Sequence, residues 1–328
     1  MESGKIDALA FIGGSNAADR LIKYHPHPHR LKIFLQLEAK NMAIMHKNLF
    51  DNSSQDDGSD DLYNLEKALD DVITGALSFN GQRCTALKII MVPEGKGEHV
   101  AKELSKRVQS LRIGLPWQTF GDDNSLYSQI TPLPTDDRIA VMNAFIEDAL
   151  SKGSSIINPN GGTTLDLADP ASSSVISKSN LMVPTVLFPV KPDMELYREE
   201  QFGPIIPVTE YNPATFEEVL TFAHEGKYGQ QVSIFTKSNS NDEITFLVDQ
   251  LSPVFGKINL NSQCGRSPDI LPFSARKSSG LGVMSVEDAL REFSIPTVVA
   301  FKTGKDSRIQ STVEEIQDKS NFMKSIKR

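Results

Sequence analysis

A chain of 328 residues, 39% of them hydrophobic, is long enough to bury the core of one large or two interleaved domains. Its formal charge of -8 argues against a general affinity for nucleic acid or anionic membranes, and no apolar run or signal-like start occurs, so a cytoplasmic protein acting on a small molecule is expected. The two cysteines, Cys84 and Cys264, are too few and too separated for a disulfide framework or a cysteine zinc site, which leaves Cys84 as the candidate reactive thiol.

In chain order, a strand is expected over 8–12, and Gly13, Gly14 and Ser15 turn it into a helix over 17–24. A parallel strand needs neighbours on both sides and helices over its faces, so a further segment is expected upstream. His25, His27 and His29 alternate with Pro26 and Pro28. Each proline pushes its predecessor into extended geometry, which predicts a rigid surface link with the rings splayed apart rather than gathered on a metal. A strand over 31–37 leads into the apolar Met42-Ala43-Ile44-Met45. Residues 51–61 hold five aspartates and no apolar anchor, predicting a disordered insertion; the glutamate that would complete a calcium loop is absent.

Leu65, Ala68, Leu69, Val72, Ile73 and Ala76 fall at helical spacing and run directly toward Cys84. Beyond it come a strand over 87–92, an amphipathic helix over 97–111, and a second such unit over 139–150 and 154–157. This βα order implies a parallel sheet and an α/β fold. Further strands are expected at 182–187, 232–235 and 258–260, and residues 303–328 read as an exposed helix or a frayed tail.

The heptapeptide Phe79-Asn80-Gly81-Gln82-Arg83-Cys84-Thr85 combines a helix end, a glycine that permits close backbone approach, and a cysteine beside an arginine. Free cysteine ionises at about 8.5, and positive charge or a helix dipole lowers that value, so this setting suits a thiolate nucleophile. A buried structural cysteine is the competing reading.

The string Gly81-Gln82-Arg83-Cys84-Thr85 resembles the nucleophile signature of the aldehyde dehydrogenase superfamily. Arg198-Glu199-Glu200-Gln201-Phe202-Gly203-Pro204 is similar to the family's Glu-Glu-x-Phe-Gly-Pro segment. Pro272-Phe273 with Lys277, Ser279, Gly280 and Gly282 is similar to its Pro-Phe-x-x-x-Lys-x-Ser-Gly-x-Gly segment, and Phe11-Ile12-Gly13-Gly14-Ser15 resembles its Phe-Thr-Gly-Ser turn over the cofactor pyrophosphate. The four segments stand in the expected order, over residues 8–302. Asn261-Ser262-Gln263-Cys264-Gly265-Arg266-Ser267-Pro268-Asp269, with Arg83, further resembles the non-phosphorylating, NADP-dependent glyceraldehyde-3-phosphate dehydrogenase branch.

That resemblance implies an aldehyde dehydrogenase-like α/β fold: a truncated Rossmann-type cofactor domain at 1–38, a catalytic domain at 39–282 carrying the insertion at 51–61, a return segment with an oligomerisation strand at 283–302, and a polar tail at 303–328. It implies oxidation of an aldehyde to its acid with NADP or NAD through a thioester on Cys84, in a homo-oligomer. Arg83 and Arg266 are implied to face a substrate phosphate, and Gly13, Gly14, Ser15, Glu200 and Phe202 to hold the cofactor. Two departures matter. The family's base lies in Glu-Leu-Gly-Gly-Lys, and here Gln36-Leu37-Glu38-Ala39-Lys40 puts a neutral amide at that position. Glu38 lies two residues on, on the same face if the strand continues, and is the candidate replacement. The family's first cofactor-domain strands and its oxyanion-hole asparagine are expected upstream, and their loss would impair turnover. A thioesterase-like hydrolase and a non-catalytic homologue that keeps the fold stay open as alternatives.

Overall fold

The computed structural model describes residues 1–51, 63–122, 125–166, 180–237, 241–301 and 307–321. Met1–Leu290 forms one compact unit and Arg291–Arg328 a second. The strands of the first unit are β1 (Ala8–Ile12), β2 (Lys32–Gln36), β3 (Asn41–Met45), β4 (Leu87–Pro93), β5 (Thr119–Phe120), β6 (Leu126–Tyr127), β7 (Ser155–Ile156), β8 (Thr185–Phe188), β9 (Ile205–Tyr211), β10 (Tyr228–Gly229), β11 (Gln231–Phe235), β12 (Lys257–Leu260), β13 (Arg276–Lys277) and β14 (Gly280–Leu281). Its helices are α1 (Ser15–Lys23), α2 (Leu65–Leu77), α3 (Gly97–Gln109), α4 (Asp136–Ser151), α5 (Glu195–Arg198), α6 (Glu217–Glu225) and α7 (Asn241–Leu251), with α8 (Val286–Glu292) at its end.

Seven strands make the main sheet in the order β12-β11-β3-β4-β9-β8-β7. Every pair in it is parallel except β7 with β8. The central strands are buried along nearly their whole length and are mostly apolar, because both faces are covered. Met42, Ile44, Ile89 and Met91 face a core that includes Met142 of α4, Val219 of α6 and Leu247 of α7. Their neighbours Ala43, Met45, Ile90 and Val92 face Leu69 and Val72 of α2 and Val100 and Leu104 of α3. The period of two along each strand thus sorts one run of residues into two cores.

A smaller sheet has the order β1-β2-β14, with β1 parallel and β14 antiparallel to β2. Ala18, Leu35 and Leu37 form its modest core. Among the described residues β1 pairs only with β2, and Ile12 near its open edge is 74% exposed. The chain passes from this sheet to the main one through residues 37–40, between β2 and β3, and that short crossing organises the site.

Several expectations need correction. The unit at 139–157 was expected to extend a parallel sheet, yet β7 runs antiparallel at the edge, where a strand with one neighbour is free of the two-sided parallel packing. The helix after β1 begins at Ser15 and ends at Lys23. The histidine segment is not wholly a surface link: His25 is 3% exposed, its Nε2 donates to the Ile6 carbonyl and its Nδ1 accepts the His27 N–H, while Pro28–Arg30 forms a 3-10 turn. The strand β9 went unread because Pro207 sits inside it, and proline ordinarily demotes a strand; α6 and α7 also went unread. The acidic stretch expected at 51–61 lies outside the described residues except for Asp51.

In the second unit α9 (Ser307–Lys319) places Ile309, Thr312, Val313 and Ile316 along a groove also lined by Val299 and Phe301. Residues 296–301 join no strand. Among the described residues no helix is long and apolar enough to cross a membrane.

Candidate active site

Helix α2 is capped at its start by Asn64, whose side chain accepts the Lys67 N–H, and buries Ala68, Leu69, Val72, Gly75, Ala76 and Leu77. It delivers a tight turn in which Phe79, Asn80 and Gly81 all have positive φ, at 56°, 59° and 69°. Asparagine and glycine tolerate that region; a phenylalanine there is strained, and such strain gathers at functional loops. Asn80 is fixed by accepting the Thr131 N–H at 2.9 Å. At Gly81 a Cβ would lie 2.5 Å from the Gly203 carbonyl oxygen and 2.8 Å from that of Ala76, so only glycine lets the turn approach the Glu199–Pro204 segment this closely.

Three residues further on, Cys84 is half-buried. Its carbonyl accepts the Asn41 amide at 2.7 Å, the same amide reaches Ala86 at 2.9 Å, and Asn41 Oδ1 takes the Gln231 N–H at 3.0 Å. Asn41, the first residue of β3, therefore anchors the thiol's own peptide to the centre of the main sheet. Sequence reasoning missed it; an asparagine opening an apolar strand was the available signal.

Arg83 lays its guanidinium 5.4 Å from the Phe79 ring, and its Nε and Nη2 are buried with no hydrogen-bond partner. Its charge also reaches the buried Cys264, whose thiol burial pushes up to about 12. Arg266 is different. It stacks 5.1 Å from the Phe273 ring, donates to the carbonyls of Met284 (3.1 Å), Leu271 and Asp269 (both 3.5 Å), and pairs with the Asp269 carboxylate at 3.5 Å. The two arginines were expected to serve alike; the structure leaves Arg83's fork unpaired and engages Arg266 with its own loop. Gln36, 1% exposed, joins the same Phe273 through its carbonyl at 3.4 Å, while Gln36 Oε1 has no partner.

Glu38 corrects a second expectation. β2 ends at Gln36, so the alternation that would have kept Glu38 on its face stops there. The Glu38 carboxylate accepts the Ser15 N–H with both oxygens, at 2.9 and 2.8 Å, and the Ser15 hydroxyl at 3.3 Å. It sits at the N-terminus of α1, where unsatisfied N–H groups and the helix dipole favour an anion. A Cβ on Gly14 would lie 3.1 Å from that carboxylate.

Next along the crossing, the Ala39 N–H donates to Glu200 at 3.1 Å, and Lys40 Nζ donates to the Leu196 carbonyl at 2.7 Å and to Gln201 Oε1 at 2.5 Å. Burial pushes the Glu200 carboxyl above the usual range, opposed by the nearby Lys88 ammonium. Burial holds Lys40 well below the usual lysine range. Phe202 lies under Lys88, with Nζ 4.8 Å from its ring centre. A cavity of about 450 Å³ opens beside these residues, lined by Lys40, Tyr197, Glu199, Phe222 and Tyr228, and its walls do not include Cys84.

A strand, glycine turn and helix with an anion seated on it, and the Cys84 loop packed against a Glu-Gln-Phe-Gly-Pro segment, are joined in one unit. The aldehyde dehydrogenase family model matches residues 1–299. The chain belongs to the aldehyde dehydrogenase family. Over 226 residues it is 30% identical to the NADP-dependent glyceraldehyde-3-phosphate dehydrogenase of Apium graveolens, covering 69% of this chain and 40% of that protein. The enzyme of the same name from Streptococcus equinus is 29% identical over 244 residues, 74% of this chain and 44% of its own length. The crystal structure of the Bacillus halodurans enzyme, complexed with NADP, superposes with a TM-score of 0.70 at 26% identity, over 89% of this chain and 52% of that one. The chain thus spans about half or less of the length of the relatives it matches.

Two places in this chain suit parts of a dinucleotide. The donor set at α1 suits a phosphate, because it already holds a carboxylate; the fit requires Glu38 to give up Ser15. Glu200, partly buried and within reach of the same crossing, offers a carboxylate oxygen for hydroxyl groups.

Proposed function

We propose that this chain carries the nucleophile side of an NADP-dependent aldehyde oxidation whose substrate is a small phosphorylated aldehyde such as glyceraldehyde 3-phosphate. The observation that carries the reading is the Nε and Nη2 edge of Arg83, buried and unpaired one residue before the half-buried Cys84. Two parallel N–H groups match the oxygens of a phosphate, and leaving them empty in a buried setting is costly. The relatives named for NADP and glyceraldehyde 3-phosphate support the same assignment.

In this reading Cys84, as thiolate, bonds to the aldehyde carbon while Arg83 holds the phosphate, and the Cys84 N–H meets the oxyanion that forms. Glu200 would take the nicotinamide ribose hydroxyls, Phe202 would pack beside the ring, and Gly13, Gly14 and Ser15 would take the phosphates once Glu38 has left. When bound, NADP would supply the hydride acceptor, and the Cys84 adduct, having lost its hydride, would be a thioester. Release of the acid needs a base to activate water. Gln36 is a neutral amide and takes no proton, so the thioester step is the slow one.

The test needs no dinucleotide. p-Nitrophenyl acetate should give a burst of nitrophenolate equal to the protein present, with one acetyl group on Cys84 and none in Cys84→Ser. Glyceraldehyde 3-phosphate should protect Cys84 from iodoacetamide, and Arg83→Gln should weaken that protection about ten-fold or more, the worth of a charge-assisted contact. No burst and no protection would sink the assignment. The proposal includes a homo-oligomer, supported by the exposed apolar side chains Phe293, Ile295, Val298, Val299 and Phe301 in one short stretch. Light scattering that reports a monomer at all concentrations would overturn that part.

A further inference from the structure

A lysine sits where strand physics gives it no reason to be. Lys88 is the second residue of β4, a strand otherwise made of Leu87, Ile89, Ile90, Met91, Val92 and Pro93, and its side chain is 1% exposed. Its ammonium donates at 2.9 Å to the Gly81 carbonyl and at 2.9 Å to the Gln201 carbonyl. Gly81 belongs to the turn that presents Cys84; Gln201 lies between Glu200 and Phe202. One nitrogen therefore bridges the thiol loop and the wall opposite. The bridge is closed from behind, since Gln201 Nε2 donates to the Lys88 carbonyl at 2.7 Å and to that of Ile205 at 3.1 Å, while Lys40 donates to Gln201 Oε1.

Two carbonyls could be satisfied by any neutral donor, and burying a charge to do so is expensive unless the charge is answered. The groups that face it are Glu200, whose Oε1 is 3.8 Å from Nζ, and the neighbouring Cys84, Arg83 and Lys40. Glu38 and Glu199 stand one step further out, Glu38 toward Glu200 and Glu199 toward Lys40. Burial, with Arg83 acting the same way and Glu200 and Cys84 opposing it, lowers the Lys88 ammonium to about 8. Near neutrality the cation persists, held by the Gly81 carbonyl within the loop that carries Cys84.

We propose that Lys88 is a positioning residue for the thiol chemistry: held between the Cys84 loop and the Glu200–Phe202 wall, its charge is the counter-ion that makes Cys84 reactive. Its relevance to turnover rests on the aldehyde oxidation proposed above, but its effect on the thiol does not, so the two can fail separately. At the chemical step the ammonium gains and loses no proton. Its charge acts on the thiolate from the Gly81 carbonyl of the same loop until the S–C bond forms and the sulfur becomes neutral.

The experiment is the rate of Cys84 alkylation by iodoacetamide against pH in the full chain, with no substrate or dinucleotide, for Lys88→Met, Lys88→Gln and Lys88→Arg. Glutamine keeps an N–H donor for the carbonyls without charge, arginine keeps the charge, and thermal melts report folding for each. Near neutral pH Lys88→Met and Lys88→Gln should both react about ten-fold or more slowly, with profiles displaced to higher pH, and Lys88→Arg should recover part of the loss. If methionine disrupts the fold, the glutamine and arginine variants still decide the matter. A folded Lys88→Gln with the rate and pH profile of the unaltered chain would overturn the proposal, because the clamp alone would then account for the residue. An intact alkylation effect in a protein that shows no substrate protection would leave Lys88 in place and remove the aldehyde reading instead.

Discussion

Two residues, Gln36 at the end of β2 and Glu38 in the crossing that follows it, decide what this site can do. Gln36 is buried with its carbonyl oxygen unpartnered, and an acid there would have the role an amide cannot perform. Gln36→Glu should therefore speed release of the acetyl group from Cys84 by about 10²- to 10⁴-fold, the usual worth of a general base, measured as steady nitrophenolate production after the burst. An unchanged steady rate would show that this position does not reach the thioester. Glu38 acts at the other end. Its carboxylate is spent on Ser15 at the start of α1, so a phosphate arriving there competes with an internal anion. Glu38→Gln should cost ~0.3–2 kcal/mol of stability, because the helix loses its anion, while NADPH binds more tightly. Fluorescence titration checks the second half, and weaker NADPH binding in the variant would remove the competition.

At the level of elements, the thiol is placed by a helix, a strained turn and two strands. α2 was legible from the spacing of its apolar residues, and the turn after it from Gly81, but the reason for that glycine was not. The sequence cannot say that the Gly203 carbonyl will lie where a Cβ would go. Gly81→Ala combines that clash with a positive φ, and should destabilise the protein by about 1–3 kcal/mol in urea unfolding and slow Cys84 alkylation as the turn withdraws from its wall. If alkylation is unaffected, the turn does not position the thiol. Asn41 and Lys88 were likewise hidden, since each looks like an isolated polar residue in an apolar strand until the loop it holds is seen beside it.

For the molecule as a whole, buried ionisable groups leave a signature in stability against pH. Lys88 has its folded value lowered from 10.5 to about 8, so between these limits the unfolded chain binds the proton and the folded one does not; stability from this group rises with pH across that window. Cys264 is raised from 9.0 to about 12, so its contribution is whole below 9.0 and is lost as pH climbs toward 12. Urea midpoints should therefore improve just above pH 8 and then fall, and Cys264→Ser should flatten the fall. A midpoint that only declines from pH 8 upward would show that Lys88 is not buried as a cation. The family and the βα order around the Cys84 loop were readable from residue order, because hydrophobic period and short motifs are local properties of a chain. Which arginine keeps a free edge, where the Glu38 carboxylate is spent, and which lysine stands behind the thiol were settled only by folding, because each depends on groups brought together from distant positions, from Ser15 with Glu38 to Lys88 with Gln201.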